Sequence, residues 1–238
     1  MRKLCTVLFL LLLCSSSFAQ NSPNIGIKWA PTGLLLGSVS LQGEYNFGNN
    51  SLTAKIGIPI ARQQTFQFDG SNADFTMKAT SFLAGYRTYL SKKHMHGFYF
   101  EPYFKYVQHS SEGNGNATLA GQKENMNFTN NYSAVGLGVQ LGVQFLIRKK
   151  FVVDFFFLGP EMNSAQNNFK AIETTSTTTW TASQSSEAEQ DIRNFLNQFP
   201  FVRNRVNVAV DPNNKIVTAN FKGLLPGYRI GVSFGYAF

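Results

Sequence analysis

The chain has 238 residues, 43% hydrophobic and 14% aromatic with 23 Phe, yet only 14% charged, with a formal net charge of +8. Soluble domains usually carry about a quarter charged residues, so this surface is short of charge. The aromatic content excludes a disordered chain, and a mean hydropathy of -0.13 excludes a bundle of helices built from apolar runs of about 20 residues.

Met1-Arg2-Lys3 opens on positive charge, Leu4 to Leu13 is almost unbroken apolar sequence, and Ser17 and Ala19 supply the small residues of a cleavage site. This is the pattern of a secretory signal peptide over residues 1–19. Cleavage after Ala19 removes Cys5 and Cys14, the only cysteines, so disulfide, thiol and Cys-metal chemistry are excluded from the exported part. It also lowers the formal charge from +8 to about +6, a basic balance that on an exported protein suits anionic lipid or glycan rather than nucleic acid.

From residue 20 onward the recurring pattern is two-residue alternation, the signature of strands with two unlike faces. Eight segments carry it: Asn24–Ala30, Ser38–Phe47, Leu52–Ile60, Phe75–Leu90, Phe98–Gln108, Ala134–Ile147, Phe151–Leu158 and Tyr228–Phe238. In the sixth, Val135, Leu137, Val139, Leu141, Val143, Phe145 and Ile147 share one face, and Gly136, Gly138, Gln140, Gly142 and Gln144 lie on the other. Strands of about 9–11 tilted residues cross a hydrocarbon core. The connections after the second, fourth and sixth are short, and those after the third, fifth and seventh are long, as expected of a barrel with both termini in the periplasm. Pro31 to Gly37, short on the long-loop side, is the exception.

The ionisable residues within these strands are Lys28, Glu44, Lys55, Arg87, Glu101, Lys105, Asp154 and Arg229. They share faces with Gly, Ser, Gln and Asn, opposite the bulky apolar residues, so they are assigned inward. An apolar exterior with a polar lumen is the pattern of an eight-stranded antiparallel transmembrane β-barrel in an outer membrane. Eight strands leave a lumen just wide enough for its own side chains to fill, so these charges are expected to pair across it and seal it. A narrow outer-membrane channel is the alternative.

The final stretch, Pro226-Gly227-Tyr228-Arg229-Ile230-Gly231-Val232-Ser233-Phe234-Gly235-Tyr236-Ala237-Phe238, resembles the end of small Gram-negative outer-membrane β-barrel proteins, OmpA-like in size. Leu41-Gln42-Gly43-Glu44-Tyr45-Asn46-Phe47 looks like the second strand of uncharacterised members. The resemblance implies location and fold, with lipids including lipopolysaccharide as surroundings, but no activity. It also implies that Ile230, Val232, Phe234, Tyr236 and Phe238 form the insertion signal read by the barrel-assembly machinery.

Residues 161–223 are the least barrel-like part and are expected to form a long extracellular loop insertion. Ser186 and Glu189 make a capping box for a helix over about 187–199, with Ala188, Ile192, Phe195, Leu196 and Phe199 on one stripe and Pro200 as the stop. Val206, Val208 and Val210, then Asp211-Pro212-Asn213-Asn214, then Val217, Ala219 and Phe221 give a hairpin over about 205–221. The insertion reads as a cap on the barrel mouth or a surface for a glycan, lipopolysaccharide or envelope protein, with Arg193, Arg203, Arg205, Lys215 and Lys222 available to anionic groups.

Chemical motifs are sparse. His94 and His96 lack a third ligand for a metal and read as solvated turn residues beside Lys92 and Lys93. His109, with Ser110, Ser111 and Glu112, has the residue types of a lipid A or phospholipid hydrolase or acyltransferase, but consecutive strand residues point to opposite faces. No phosphate loop, dinucleotide fingerprint or zinc spacing occurs, so no cofactor is expected, and a non-enzymatic role is preferred.

Overall fold

The computed structural model describes residues 23–68, 71–119, 121–174, 178–202 and 204–238; the expected signal peptide and Arg203 lie outside them. Among the described residues, ten antiparallel strands form one sheet. They are β1 (Ile25–Ala30), β2 (Ser38–Phe47), β3 (Asn50–Pro59), β4 (Arg62–Phe68), β5 (Ser71–Tyr89), β6 (Gly97–Leu119), β7 (Gln122–Ile147), β8 (Phe151–Glu173), β9 (Val206–Asp211) and β10 (Ile216–Ala237). A helix, α1 (Ala182–Asn197), follows β8.

The order β1-β2-β3-β5-β6-β7-β8-β10 closes on itself because β1 also pairs with β10. That closure rests on four residue pairs, Gly26↔Ala237 to Trp29↔Phe234. The wall is inverted relative to a water-soluble fold. Ile27, Leu52, Phe98, Leu137, Phe151 and Ile230 are each more than 45% exposed on the outside. Lys28, Glu44, Arg87, Glu101 and Asp154 are buried within.

The ring is uneven in height. β1, β2 and β3 are short, whereas β6, β7, β8 and β10 each run for more than twenty residues. Above the ring the long strands continue as an open sheet whose edges are β4, paired only with β5, and β9, paired only with β10. Between the Phe221↔Val206 pair and the Trp29↔Phe234 pair, β10 has only β8 as its described strand partner. Pro226 sits in this free-edged stretch, a position where the missing N–H costs no ladder bond. Arg205 Nη1 donates to the carbonyl of Leu224 there.

A 3₁₀ turn, Pro31–Leu36, replaces the upward continuation of β1 and ends at Gly37 in the left-handed conformation (φ 75°). The Gly37 carbonyl accepts from Ile60 N and Ala79 N, tying three elements together. A Cβ at Gly37 would lie 2.5 Å from the Met77 carbonyl, so both conformation and space require glycine.

The structure departs from the sequence reading above the ring. Residues 109–133, read as a long loop, are the outer arms of the β6–β7 hairpin, paired as far as Leu119↔Gln122. Residues 161–173 and 216–223, read as parts of a loop insertion, continue β8 and β10. The reason is that a ladder held on both sides by backbone bonds needs no apolar face once it leaves the ring. Its Asn-, Ser- and Gly-rich sequence therefore loses the alternation that reveals strands. Two consecutive outward residues, Phe157 and Leu158, mark a bulge in β8, where register shifts against both β7 and β10.

Helix α1 begins at Ala182 rather than near 187. Thr181-Ala182-Ser183-Gln184 has the same cap spacing as Ser186 and Glu189, and it is Thr181 and Gln184 that exchange the capping bonds. Glu189 instead pairs with Arg193 one turn on. Ala188, Ile192 and Leu196 pack with Trp180, Met126, Ala171, Val208, Val217 and Ala219 on the inner face of the upper sheet. The stripe read from sequence is too wide: Phe195 and Phe199 are exposed and lie 5.3 Å apart. The 205–221 hairpin forms, with its second arm supplied by β10 and its turn by Asp211, whose carboxylate accepts from Asn213 N and Asn214 N.

Glycine on the lumen face makes room for large inward side chains. A Cβ at Gly142 would overlap the Tyr99 hydroxyl, whereas one at Gly43, on the outer face, meets nothing closer than 4.0 Å. Gly142→Val is expected to abolish the compact, heat-modifiable gel species, and Gly43→Val to leave it intact with a stability change within about 0.5 kcal/mol.

Candidate functional site

The ring's interior is stacked in layers. At the end where β1 begins and β10 finishes, the turn after β5 folds inward, and Met95 (0% exposed) packs with Val152, Ala237 and Leu146 as an apolar floor.

Above the floor lies a charge cluster contributed by seven strands. Lys28 Nζ donates to Glu44 Oε2 (2.8 Å), Asp154 Oδ2 (2.7 Å) and Gln144 Oε1 (2.9 Å). The Arg87 guanidinium donates from Nε to Glu101 Oε2 (2.7 Å) and from Nη1 to Asp154 Oδ2 (3.0 Å) and Gln144 Oε1 (2.7 Å). Its Nη1 is also 3.5 Å from Glu44 Oε2. The remaining carboxylate oxygens accept from hydroxyls: Tyr89 to Glu44 (2.5 Å), Tyr99 to Asp154 (2.7 Å) and Thr53 to Glu101 (2.5 Å). The Arg87 Cζ stands 3.7 Å from the Tyr99 ring centroid, adding a cation–π contact. Two cations thus face three carboxylates, and each charge is held by several hydrogen bonds, the condition under which buried ion pairs are tolerated.

The next layer is positive. Lys55 Nζ and Arg229 Cζ lie 5.9 Å and 5.1 Å from the Phe156 ring centroid. Among the described residues neither makes an ion pair. Arg229 Nη1 donates to Gln140 Oε1 (3.0 Å), and Gln140 Nε2 donates to Glu101 Oε2 (3.0 Å), so one amide couples this layer to the cluster below. Higher still, Lys105 pairs with Glu161, which also accepts from the Tyr103 hydroxyl (2.9 Å).

Of the eight charges read from sequence, Lys28, Glu44, Arg87, Glu101 and Asp154 meet in one cluster. Lys105 pairs above it, and Lys55 and Arg229 lie between. Sequence reading missed Glu161, which lies beyond the expected end of its strand. It also missed Tyr89, Tyr99, Tyr103 and Thr53, which share inward parity with Arg87, Glu101, Lys105 and Lys55.

The outward stripe of β10 places Ile230, Phe234 and Phe238 on the surface, with Val232 and Tyr236 partly covered. Tyr236 packs edge-on against Phe151. His109 faces inward with its ring 5.9 Å from that of Tyr132, while Glu112, three residues along, lies on the opposite face. Among the described residues no group of three His, Cys, Asp or Glu side chains could hold a metal, and no helix is long and apolar enough to cross a membrane.

No known family profile matches the chain, and no curated protein matches it. Two solved structures are similar to it. Acinetobacter baumannii CarO2 has 11% identity and a TM-score of 0.46; A. baumannii CarO has 15% identity and a TM-score of 0.41. Each match covers 92% of this chain and 100% of the other. Likeness at this level speaks to neither activity nor partner.

Arg87→Met takes from Glu101 the cation it pairs with and leaves the cluster with one cation for three carboxylates. It is expected to cost about 3–5 kcal/mol, read by urea unfolding in lipid vesicles. Glu189→Gln, at the exposed pair with Arg193 on α1, should change stability by no more than about 0.5 kcal/mol.

Proposed function

We propose that this chain is an integral outer-membrane β-barrel protein whose eight-stranded ring is closed to bulk flow, and whose upper sheet and helix act in envelope structure or surface recognition. The observation that carries this reading is the inverted wall. A belt of exposed aliphatic and aromatic side chains encircles a lumen of buried, paired charges, an arrangement stable against hydrocarbon and costly against water. With every ring strand hydrogen-bonded to two neighbours along the closed section, the backbone requirement of a bilayer is met there.

The lumen supports the sealed reading. Met95 and its apolar neighbours floor it, and Arg87 and Lys28, from strands three apart in the ring, meet on the same two side chains, Asp154 and Gln144. A narrow channel is the second reading, favoured by the Lys55 and Arg229 layer, whose positive charge has no carboxylate in contact and could admit anions. Enzymatic lipid modification has less support, since His109 packs on Tyr132 and its neighbouring Glu112 points away.

The upper part supports a surface role. It has its own apolar core around Trp180, Ala188 and Val217, distinct from the charged lumen, and it carries exposed Phe195, Phe199 and Phe201. Lipopolysaccharide, a glycan or another envelope protein is the partner class we assign to it. The outward aromatic stripe of β10, ending at Phe238, is the segment we assign to the barrel-assembly machinery.

In expressing cells the protein is expected in the outer-membrane fraction, with gel mobility that changes on boiling; a soluble periplasmic product would overturn the reading. In planar bilayers the purified protein should show no stable conductance, and reproducible channel steps would favour the second reading. Replacing residues 174–215 with an Asn-Gly turn keeps the β8–β10 ladder and should leave membrane insertion unchanged while removing surface-partner capture.

A further inference from the structure

At the end of the barrel where β1 begins and β10 finishes, a cavity of about 410 Å³ opens between two turns, lined by Pro23, Lys93, His94, His96, Leu146 and Lys149. No carboxylate lines it. The same two turns also contain Lys92, Arg148 and Lys150, and among the described residues none of these five cations makes an ion pair. The cavity is therefore a basic recess without internal compensation.

The backbone is held in an unfavourable form to place these charges. In the turn closed by Lys150 N donating to the Ile147 carbonyl (3.1 Å), Arg148 and Lys149 have φ of 52° and 58°. Left-handed geometry at both central positions is where Asn-Gly is at ease and long side chains are strained. Met95, between the two histidines, is also left-handed (φ 50°), which turns its own side chain into the floor and sends His94 and His96 outward to the cavity.

Each histidine has its tautomer fixed by its partners. Asn46 Nδ2 donates to the Asn50 carbonyl and to Ser51 Oγ, so its Oδ1 accepts from His94 Nδ1–H at 2.8 Å. The other nitrogen of a neutral His94, Nε2, is then an acceptor. His96 Nδ1 accepts from Leu146 N–H (3.2 Å), so its proton sits on Nε2, a donor. The ring of His96 stands edge-on to Phe145, an exposed residue of the apolar wall, which puts the recess at the border of that wall.

We infer that this recess binds a glycerophospholipid headgroup. The phosphate diester is held by the Lys93 and Lys149 ammoniums and His96 Nε2–H, and a terminal hydroxyl or ammonium donates to His94 Nε2. A lipid rather than free phosphate is the occupant because the recess adjoins the outward apolar face at Phe145, where the acyl chains of a headgroup so placed would lie. The inference rests on the membrane reading above.

The test uses the purified full chain in detergent, with lipid retention read by native mass spectrometry. The probes are dihexanoyl-phosphatidylglycerol, dihexanoylglycerol without phosphate, and inorganic phosphate. Wild type should retain the phospholipid and neither of the other two. Lys93→Gln with Lys149→Gly should weaken retention about thirty-fold, for two lost charges near a lipid phosphate. Because glycine suits the strained turn, the same variant should unfold at a temperature no lower than wild type. Unchanged retention in this variant overturns the inference, as does equal binding of inorganic phosphate, which would make the recess a free-anion site. Heat-modifiable migration is scored in the same samples. A chain that forms no barrel overturns the membrane reading, whereas a barrel that retains no phospholipid overturns this inference alone.

Discussion

The structure depends on how one guanidinium is satisfied. Arg87 is fully buried within the lumen, and its stability there requires Glu101 and Asp154 in contact and Glu44 at the margin. Those carboxylates in turn require Lys28, Thr53, Tyr89 and Tyr99. The need propagates outward into backbone: Tyr99 can reach Asp154 only because Gly142 leaves its ring room, and Gly85 leaves similar room for Glu101. Charge balance thus dictates which positions on the inner wall are large and which are glycine.

How much of this is legible in the sequence depends on whether a strand must face two environments. Within the ring it must, and alternation reveals the strands with nearly their observed limits; β2 is Ser38–Phe47 in both readings. Above the ring neither face is forced to be apolar, so Asn-rich stretches such as 125–131 pair as strand while reading as loop. Parity also tells which side chains point inward, including Tyr99 and Tyr103 beside Glu101 and Lys105. It does not tell which of them meet, since Lys28 and Asp154 lie 126 positions apart and touch only because the ring closes. The helix shows a further limit. Two cap motifs five residues apart have the same local quality, and the packing of Ala188, Ile192 and Leu196 against the upper sheet, a tertiary effect, fits the earlier start.

The two ends of the molecule solve opposite problems. At the end with the floor, tight turns and left-handed basic residues concentrate charge on a small rim. At the far end, strands outlast the ring and enclose a second core around Trp180, so that end is built more like a water-soluble sandwich than a barrel rim. One chain thereby combines a lumen centred on buried charges with a second, apolar core beyond it.

The four-pair seam between β1 and β10 has a kinetic consequence. It joins Gly26 to Ala237 across almost the whole chain, so its loop-closure entropy is the largest of any strand contact in the fold while its ladder is the shortest. High contact order of this kind slows formation. Hairpins such as β6–β7 can zip locally, but the cylinder exists only once its first and last strands find each other. The same seam is the weakest line in the wall, so thermal opening should start where the chain begins and ends.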